Sequence, residues 1–509
     1  MVCGYVARDE LSPCPRPPRA GDEDGIQSEG DGQCPLHAGA DGSGNVTSSA
    51  VRATVCADLR SDDERRLTYA GVELDALDLS GLALESDGLG SIRFVDSTIE
   101  GAADISGSAV EQPIVFEGCT LGRLDASDAT FAGDVTVADS RLGNGSGTCL
   151  TFRRATVGGS LALDDVAAQG SVEFASLAVD TWFELDGVSV TGGAHFPNAD
   201  VERGQVVDSS FGRSVQFTGL DARLLTVERV SFAQPPRFDD AALGRLRFRP
   251  AGDVECRLTG ATVKGGRLDQ PDDDRAYYDL TDATVGDVEL DCSSDTLDRY
   301  RFYRTRYDGF PFAAYRSFLR ENRWRLHEYA GDPDVGADLD GLERTYLEAR
   351  QGASDVGDHE NAAALFLREM RYRRRRYADH ARDGSRSPAH RVDATLRWAT
   401  SAFLNLVSGY GERPQRTVLA ALAVVVASAF LYPALGGLRD GSTVVTYGTD
   451  PTRALADGFY FSVVTFTTLG YGDIEPVGTL ARALSGLEAL AGAFLVALFV
   501  FALGRQATR

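Results

Sequence analysis

Between about residues 70 and 290, large apolar residues return at intervals of ten or eleven, and this rhythm constrains the fold more than any local propensity. The series includes Phe94, Ile105 and Phe116, then Leu163, Phe174, Leu185, Phe196, Val207, Phe217, Val227, Phe238 and Phe248. Within each unit a small or aliphatic residue follows three positions on and another apolar residue five positions on, as in Phe174-Leu177-Val179, Leu185-Val188-Val190 and Phe116-Cys119-Leu121. That is alternation broken by turns, not a helical stripe. Short strands rich in Val, Phe and Thr, punctuated by Gly and Asp, stack when each rung buries its inward side chains on the next. Two units make one coil of about 21 or 22 residues, so the pattern predicts a β-solenoid over 66–293, expected to be right-handed. The run from Gly143 to Gly147 reads as a loop bulging from one rung, and His195 and Trp182 read as structural residues. A solenoid implies a rigid spacer or a surface for an unidentified ligand or protein.

Units such as Phe152-Arg-Arg-Ala155-Thr-Val157 and Phe174-Ala-Ser-Leu177-Ala-Val179 resemble degenerate pentapeptide-repeat proteins. The resemblance is loose, because the five-residue register slips at every eleventh position.

Charge narrows the partners. Acidic residues outnumber basic ones 75 to 51, and Lys264 is the only lysine. A surface of this sign excludes nucleic acid as the expected partner, since phosphate binding needs basic stripes. The Asp-rich, Lys-poor composition resembles proteins adapted to molar salt. The eight cysteines include no CxxC pair, which argues against a disulfide scaffold. No charged region followed by an apolar run opens the sequence, so the N-terminus is expected to stay in the cytoplasm. Residues 1–65 hold few large apolar side chains and read as a largely disordered tail. Within it, Cys3, Cys14, Cys34 and His37 can supply three thiolates and an imidazole to a tetrahedral Zn2+.

Residues 294–390 read as a cytoplasmic helical linker. Aromatics and arginines interleave in Arg299-Tyr-Arg-Phe-Tyr-Arg304, and helices are expected over Phe312 to Tyr329, Leu342 to Arg350 and Asp358 to His380. The last ends in Arg371-Tyr-Arg-Arg-Arg-Arg376, a basic cluster expected to face anionic membrane lipids.

The remaining segment, 391–509, changes character. Thr417 to Leu435 carries no charge over nineteen positions, and a second apolar stretch covers Leu480 to Leu503, interrupted by Arg482 and Glu488. Each is long enough to span a hydrocarbon core of about 30 Å at a rise of about 1.5 Å per residue. Between them, 453–473 is too short to cross again and long enough to enter and stop, an arrangement allowed at membrane depth only where it lines a cavity. It ends in Thr467-Thr468-Leu469-Gly470-Tyr471-Gly472-Asp473.

That ending resembles the potassium-channel pore family, whose filter reads Thr-Val-Gly-Tyr-Gly and from which only Leu469 departs. The resemblance implies two transmembrane helices per chain, a homotetramer, passive K+ conduction with no catalysis, and a gating hinge at Gly492. Physical chemistry points the same way. A conducting site must replace the ion's water with rings of backbone carbonyls from four chains. Gly470 and Gly472 allow the backbone angles that turn carbonyls inward, Thr468 can add a hydroxyl ring, and Asp473 at the outer mouth would concentrate cations. Tyr471 is expected to pack outward against Phe459, Tyr460 and Phe461. Glu488, a carboxylate within a span, needs a partner, expected on the re-entrant helix. Where some bacterial members of that family have a buried Glu behind the filter, the matching position here is Val464.

Orientation follows from arginine counts. Twelve lie between Arg368 and Arg416, against Arg439 and Arg453 alone between Gly436 and Thr479. Both termini are therefore expected in the cytoplasm of a multi-pass cell-membrane protein. Leu396 to Val407, with Trp398, reads as an interfacial helix, and Gly409 to Pro414 as a turn. Two other readings stay open at this level: a poorly selective cation channel, if Leu469 distorts the filter, and an interaction scaffold whose membrane part is only an anchor.

Overall fold

The computed structural model describes residues 48–59, 67–84, 90–145, 147–292, 297–329 and 337–507. Cys3, Cys14, Cys34 and His37 lie outside them. The chain divides into two compact units, residues 1–337 with 351–356, and residues 338–350 with 357–509.

The first unit is a β-solenoid. Every strand pair within it is parallel, and each strand pairs with those one coil before and after. Ile114 pairs with Val135, Leu161 with Phe183, Phe183 with Gly204 and Leu225 with Leu246. The ten-to-eleven spacing of the sequence is half a coil, so successive large residues belong to opposite walls of one core. On one wall Phe174, Phe196, Phe217 and Phe238 stack with ring centroids 4.6 to 4.8 Å apart. On the other, Leu163, Leu185, Val206, Val227 and Phe248 align in register. Burying one such side chain contributes about 1.5–3 kcal/mol, and the ring contacts add to that. The polar corners recur as well: Asp139, Asp165, Asp208 and Gly187 all take positive φ, the conformation that short polar residues and glycine reach most readily.

The coil containing Gly143 to Gly147 is longer than its neighbours. Val135 pairs with Leu161, 26 positions on, where Ile114 to Val135 takes 21. His195 pairs in register with Glu173 and its Nδ1 lies 2.8 Å from that carboxylate. Cys119 and Cys149 are core residues, and burial pushes their thiols up to about 11.

Three boundaries differ from expectation. Helix α1 (Ser48–Asp58) falls within the span expected to be disordered; it buries Val51 and Val55, with Leu59 buried just past its end, and Asp58 accepts a hydrogen bond from Tyr69. The solenoid also runs past 293. Tyr300 pairs with Tyr278 and stacks on it at 5.1 Å, and Tyr307 pairs with Val285. The Arg/aromatic run from 299 to 304 therefore supplies one short strand, Tyr300–Arg301, and the turn after it, with Tyr300, Phe302 and Tyr303 buried. Finally, the helix expected from Phe312 to Tyr329 shrinks to one 3₁₀ turn and α2 (Arg316–Glu321), because Arg323 and Trp324 take positive φ. This segment closes the last coil: Leu326 accepts from Phe302 N, Tyr315 Oη from Leu290 N, and the Arg301 guanidinium sits 4.1 Å from the Tyr329 ring.

The second unit is helical. It takes the first part of α3 (Leu339–Asp355), then α4 (His359–Arg382), α5 (Pro388–Ser408), α6 (Pro414–Leu435), α7 (Pro451–Phe466) and α8 (Thr479–Ala507). Caps fix several ends. Asp358, Ser387 and Asp450 each accept from a backbone N–H of the first turn, and Gly409 ends α5 in the left-handed conformation. Tyr410 and Gly411 continue that left-handed turn before α6. The basic run of α4 is largely paired within the unit. Arg373 binds Glu343 and Glu369 at 2.7 and 2.6 Å, Arg376 binds Asp340 and Glu343, and Arg374 reaches Tyr410 Oη. Fewer arginines therefore remain for lipid headgroups than the sequence suggested.

Candidate pore site

Helices α6 and α8 are long and apolar enough to cross a membrane, by length and composition. Helix α7 lies between them in sequence and packs against both. Asp450 caps its N-terminus and Pro451 sits in its first turn, so the helix starts sharply after the turn in which Thr449 N and Asp450 N bond to Thr446 O. At its other end Thr468 N and Leu469 N bond back to Thr465 O and Val464 O, and the chain then leaves the helix extended.

Along that exit φ alternates in sign. Thr468, Gly470 and Gly472 take φ of 56°, 56° and 75°, with Leu469 and Tyr471 on the ordinary side between them. Alternating left- and right-handed residues turn successive carbonyls to the same side of the strand, which is what a ring of oxygen ligands requires. A Cβ on Gly470 or Gly472 would meet nothing within 4 Å, so conformation and not space calls for glycine there.

The far end of this segment is fastened twice. Tyr460 of α7 donates from its hydroxyl to Asp473 at 2.7 Å, and this bond holds the Asp473 carboxyl below the usual carboxylate range. Ile474–Pro476 then joins Leu438–Asp440 and Thr443–Val445 in a small antiparallel sheet, which ties the segment after 473 to the end of α6. Tyr471 is 68 % exposed in the single chain, and Phe461 instead packs edge-on to Tyr432 of α6 at 4.8 Å. The aromatic surround expected for Tyr471 is thus not built within one chain: of its three expected members, Phe459 and Tyr460 are exposed and Phe461 faces α6.

Behind the exit, Glu488 of α8 is 2 % exposed. Its carboxylate accepts from Tyr432 Oη of α6 at 2.5 Å and from Ser462 Oγ of α7, and Ser462 Oγ also lies 2.9 Å from Val425 O. One turn along α8, Gly492 faces Phe466 at the end of α7; a Cβ there would come within 2.1 Å of the Phe466 carbonyl oxygen. Helix α8 is continuous through this glycine, and close helix contact accounts for it in this conformation. Sequence reasoning named Glu488 and Gly492 but not Tyr432 and Ser462. Polar residues recurring within apolar helices, Ser428 and Tyr432 four apart on α6 and Ser462 on α7, are the signal that would have found them.

Comparison with known proteins places matches in both units. Residues 409–509 match the family described as Ion channel, so the chain carries an ion channel domain at its C-terminal end. Residues 94–141 match the pentapeptide repeats, nine copies, within the solenoid. A stretch of 53 residues is 47% identical to the two pore potassium channel b of Oryza sativa subsp. japonica, covering 10% of this chain and 15% of that protein. No solved structure matches the chain.

Proposed function

We propose that four copies of this chain form a potassium-selective pore that conducts K+ passively, with Thr467 to Asp473 as the filter and the cytoplasmic part controlling opening. The observation that carries this reading is the alternation of backbone handedness at 468, 470 and 472, directly after a helix that ends between two membrane-length helices. The carbonyls of Thr468, Leu469, Gly470 and Tyr471 replace the ion's hydration shell, and the hydroxyl of Thr468 adds a ring below. Helix α7 directs its negative end towards the inner side of this segment. Asp473, whose ionised form accepts a hydrogen bond from Tyr460, concentrates cations at the outer mouth.

The test is reversal potential in mixed K+ and Na+ with the purified protein in a planar bilayer. A strong K+ preference supports the reading, whereas a permeability ratio near unity would replace it with a poorly selective cation pore. Gly470→Ala separates both from a plain anchor. At a φ of 56° an added Cβ costs about 1–2 kcal/mol in each copy, so flux should vanish while the tetramer persists. Flux unchanged by this substitution rejects 468–472 as the conduction path.

A further inference from the structure

The structure assigns Glu488 a positioning role in ion selection: we infer that it fixes the depth and rotation of the re-entrant helix α7, and so sets the inner end of the filter. This rests on the pore reading above. The carboxylate lies between two apolar clusters shared by the same three helices. One contains Tyr432, Phe461 and Ala481, with Leu484 against it; the other contains Val425, Phe466 and Leu495. Apolar packing alone specifies helix rotation weakly, because one aliphatic ridge can slide over another at little cost. A buried carboxylate cannot slide, since losing its partners leaves an unsatisfied charged group in an apolar setting.

The contact has two points, one turn apart on both helices. On α8 they are Glu488 and Gly492; on α7 they are Ser462 and Phe466. The polar point fixes rotation, and the glycine notch lets the Phe466 carbonyl seat against the α8 backbone. Phe466 is two residues before Thr468, so a shift of α7 against α8 passes to the filter with almost no intervening chain. Tyr432 adds α6 to the same carboxylate and closes the arrangement on its third side.

A structural residue of the ordinary kind would change expression or melting and leave ion preference alone. We therefore read the K+-over-Na+ permeability ratio in bilayers for wild type, Glu488→Gln, Glu488→Ala and Ser462→Ala, alongside tetramer size and thermal melting. Glu488→Ala should lower the ratio about tenfold, the scale of one hydrogen bond to a charged group. Glu488→Gln, which keeps an acceptor in place, should restore most of it. Ser462→Ala should shift it in the same direction, and Glu488→Ala with Ser462→Ala should be less than additive. If Glu488→Ala fails to assemble, the Gln and Ser462→Ala variants carry the test. Assembled variants with an unaltered ratio overturn the inference while leaving the pore reading intact. An unselective wild type instead overturns the pore reading.

Discussion

Thr468, Gly470 and Gly472 share a left-handed backbone, yet only two of the three are glycine. A β-branched residue at positive φ is rare and stores strain, so it persists only where its surroundings hold it. Here the Thr468 N–H is bonded back into α7 at 3.0 Å. The glycines were legible from the sequence because their conformational freedom is intrinsic. The handedness of Thr468 was not, because it depends on how α7 ends. The pairing of Tyr460 with Asp473 was equally hidden, although both residues had been singled out. This bond holds the Asp473 pKa down by favouring the ionised form. Removing the hydroxyl in Tyr460→Phe raises that pKa, so the mouth charge is lost at a higher pH as the outside is acidified. The current–pH curve at low external salt should shift to higher pH, with the largest loss of inward current below about pH 5.

At the scale of elements, the C-terminal end of α8 meets a small polar junction. Arg505 pairs with the buried Glu412 at 2.8 Å, and its guanidinium lies 5.4 Å from the Phe366 ring of α4. Phe366 in turn packs edge-on to Tyr410, in the left-handed turn between α5 and α6. Glu412, Tyr410 and Phe366 thus join the linker helix and the turn before the first span to the last turns of the second. Glu412→Gln and Phe366→Ala should each change open probability, since both remove a contact that Arg505 makes at this junction. Neither should alter the K+/Na+ permeability ratio in single-channel recording. The sequence marked 409–414 correctly as a turn, from its glycines and proline. It offered no sign that Arg505 would turn back to it, since that contact joins residues more than ninety positions apart. The basic run of α4 misled for a related reason: the acids that neutralise it, Asp340 and Glu343, sit on α3 and come beside it only in the folded unit.

For the whole molecule, the solenoid was legible because its signal is a period repeated many times, which tolerates local error. Its ends were not, because a terminal coil must break the pattern to be closed. Helix α1 packs on the strand Leu77–Asp78 of the first coil, and Tyr315 and Leu326 bond to Leu290 and Phe302 at the last, so among the described residues each end carries a covering segment. Between 66 and 293 the chain carries 38 Asp and Glu against 18 Arg and Lys, and most of the net charge of −24 therefore belongs to the solenoid. A deletion meant to test its role in gating should take both caps with it, residues 48–329, and not stop at 293, which would cut through a coil. In that form the channel should keep its permeability ratio and change its open probability; an unaltered open probability would remove the solenoid from the gating scheme.

The parallel register has one more consequence. Each coil hands its neighbour the same edge that it received, so the stack has no preferred number of rungs and its length is quantised. Gain or loss of one full coil, such as 183–203, would change the solenoid by about 4.8 Å and leave both caps seated as before. A deletion of half that size would bring opposite walls of the core face to face. Over evolutionary time such a rod can be lengthened or trimmed like a ruler cut only at its marks, with the pore untouched.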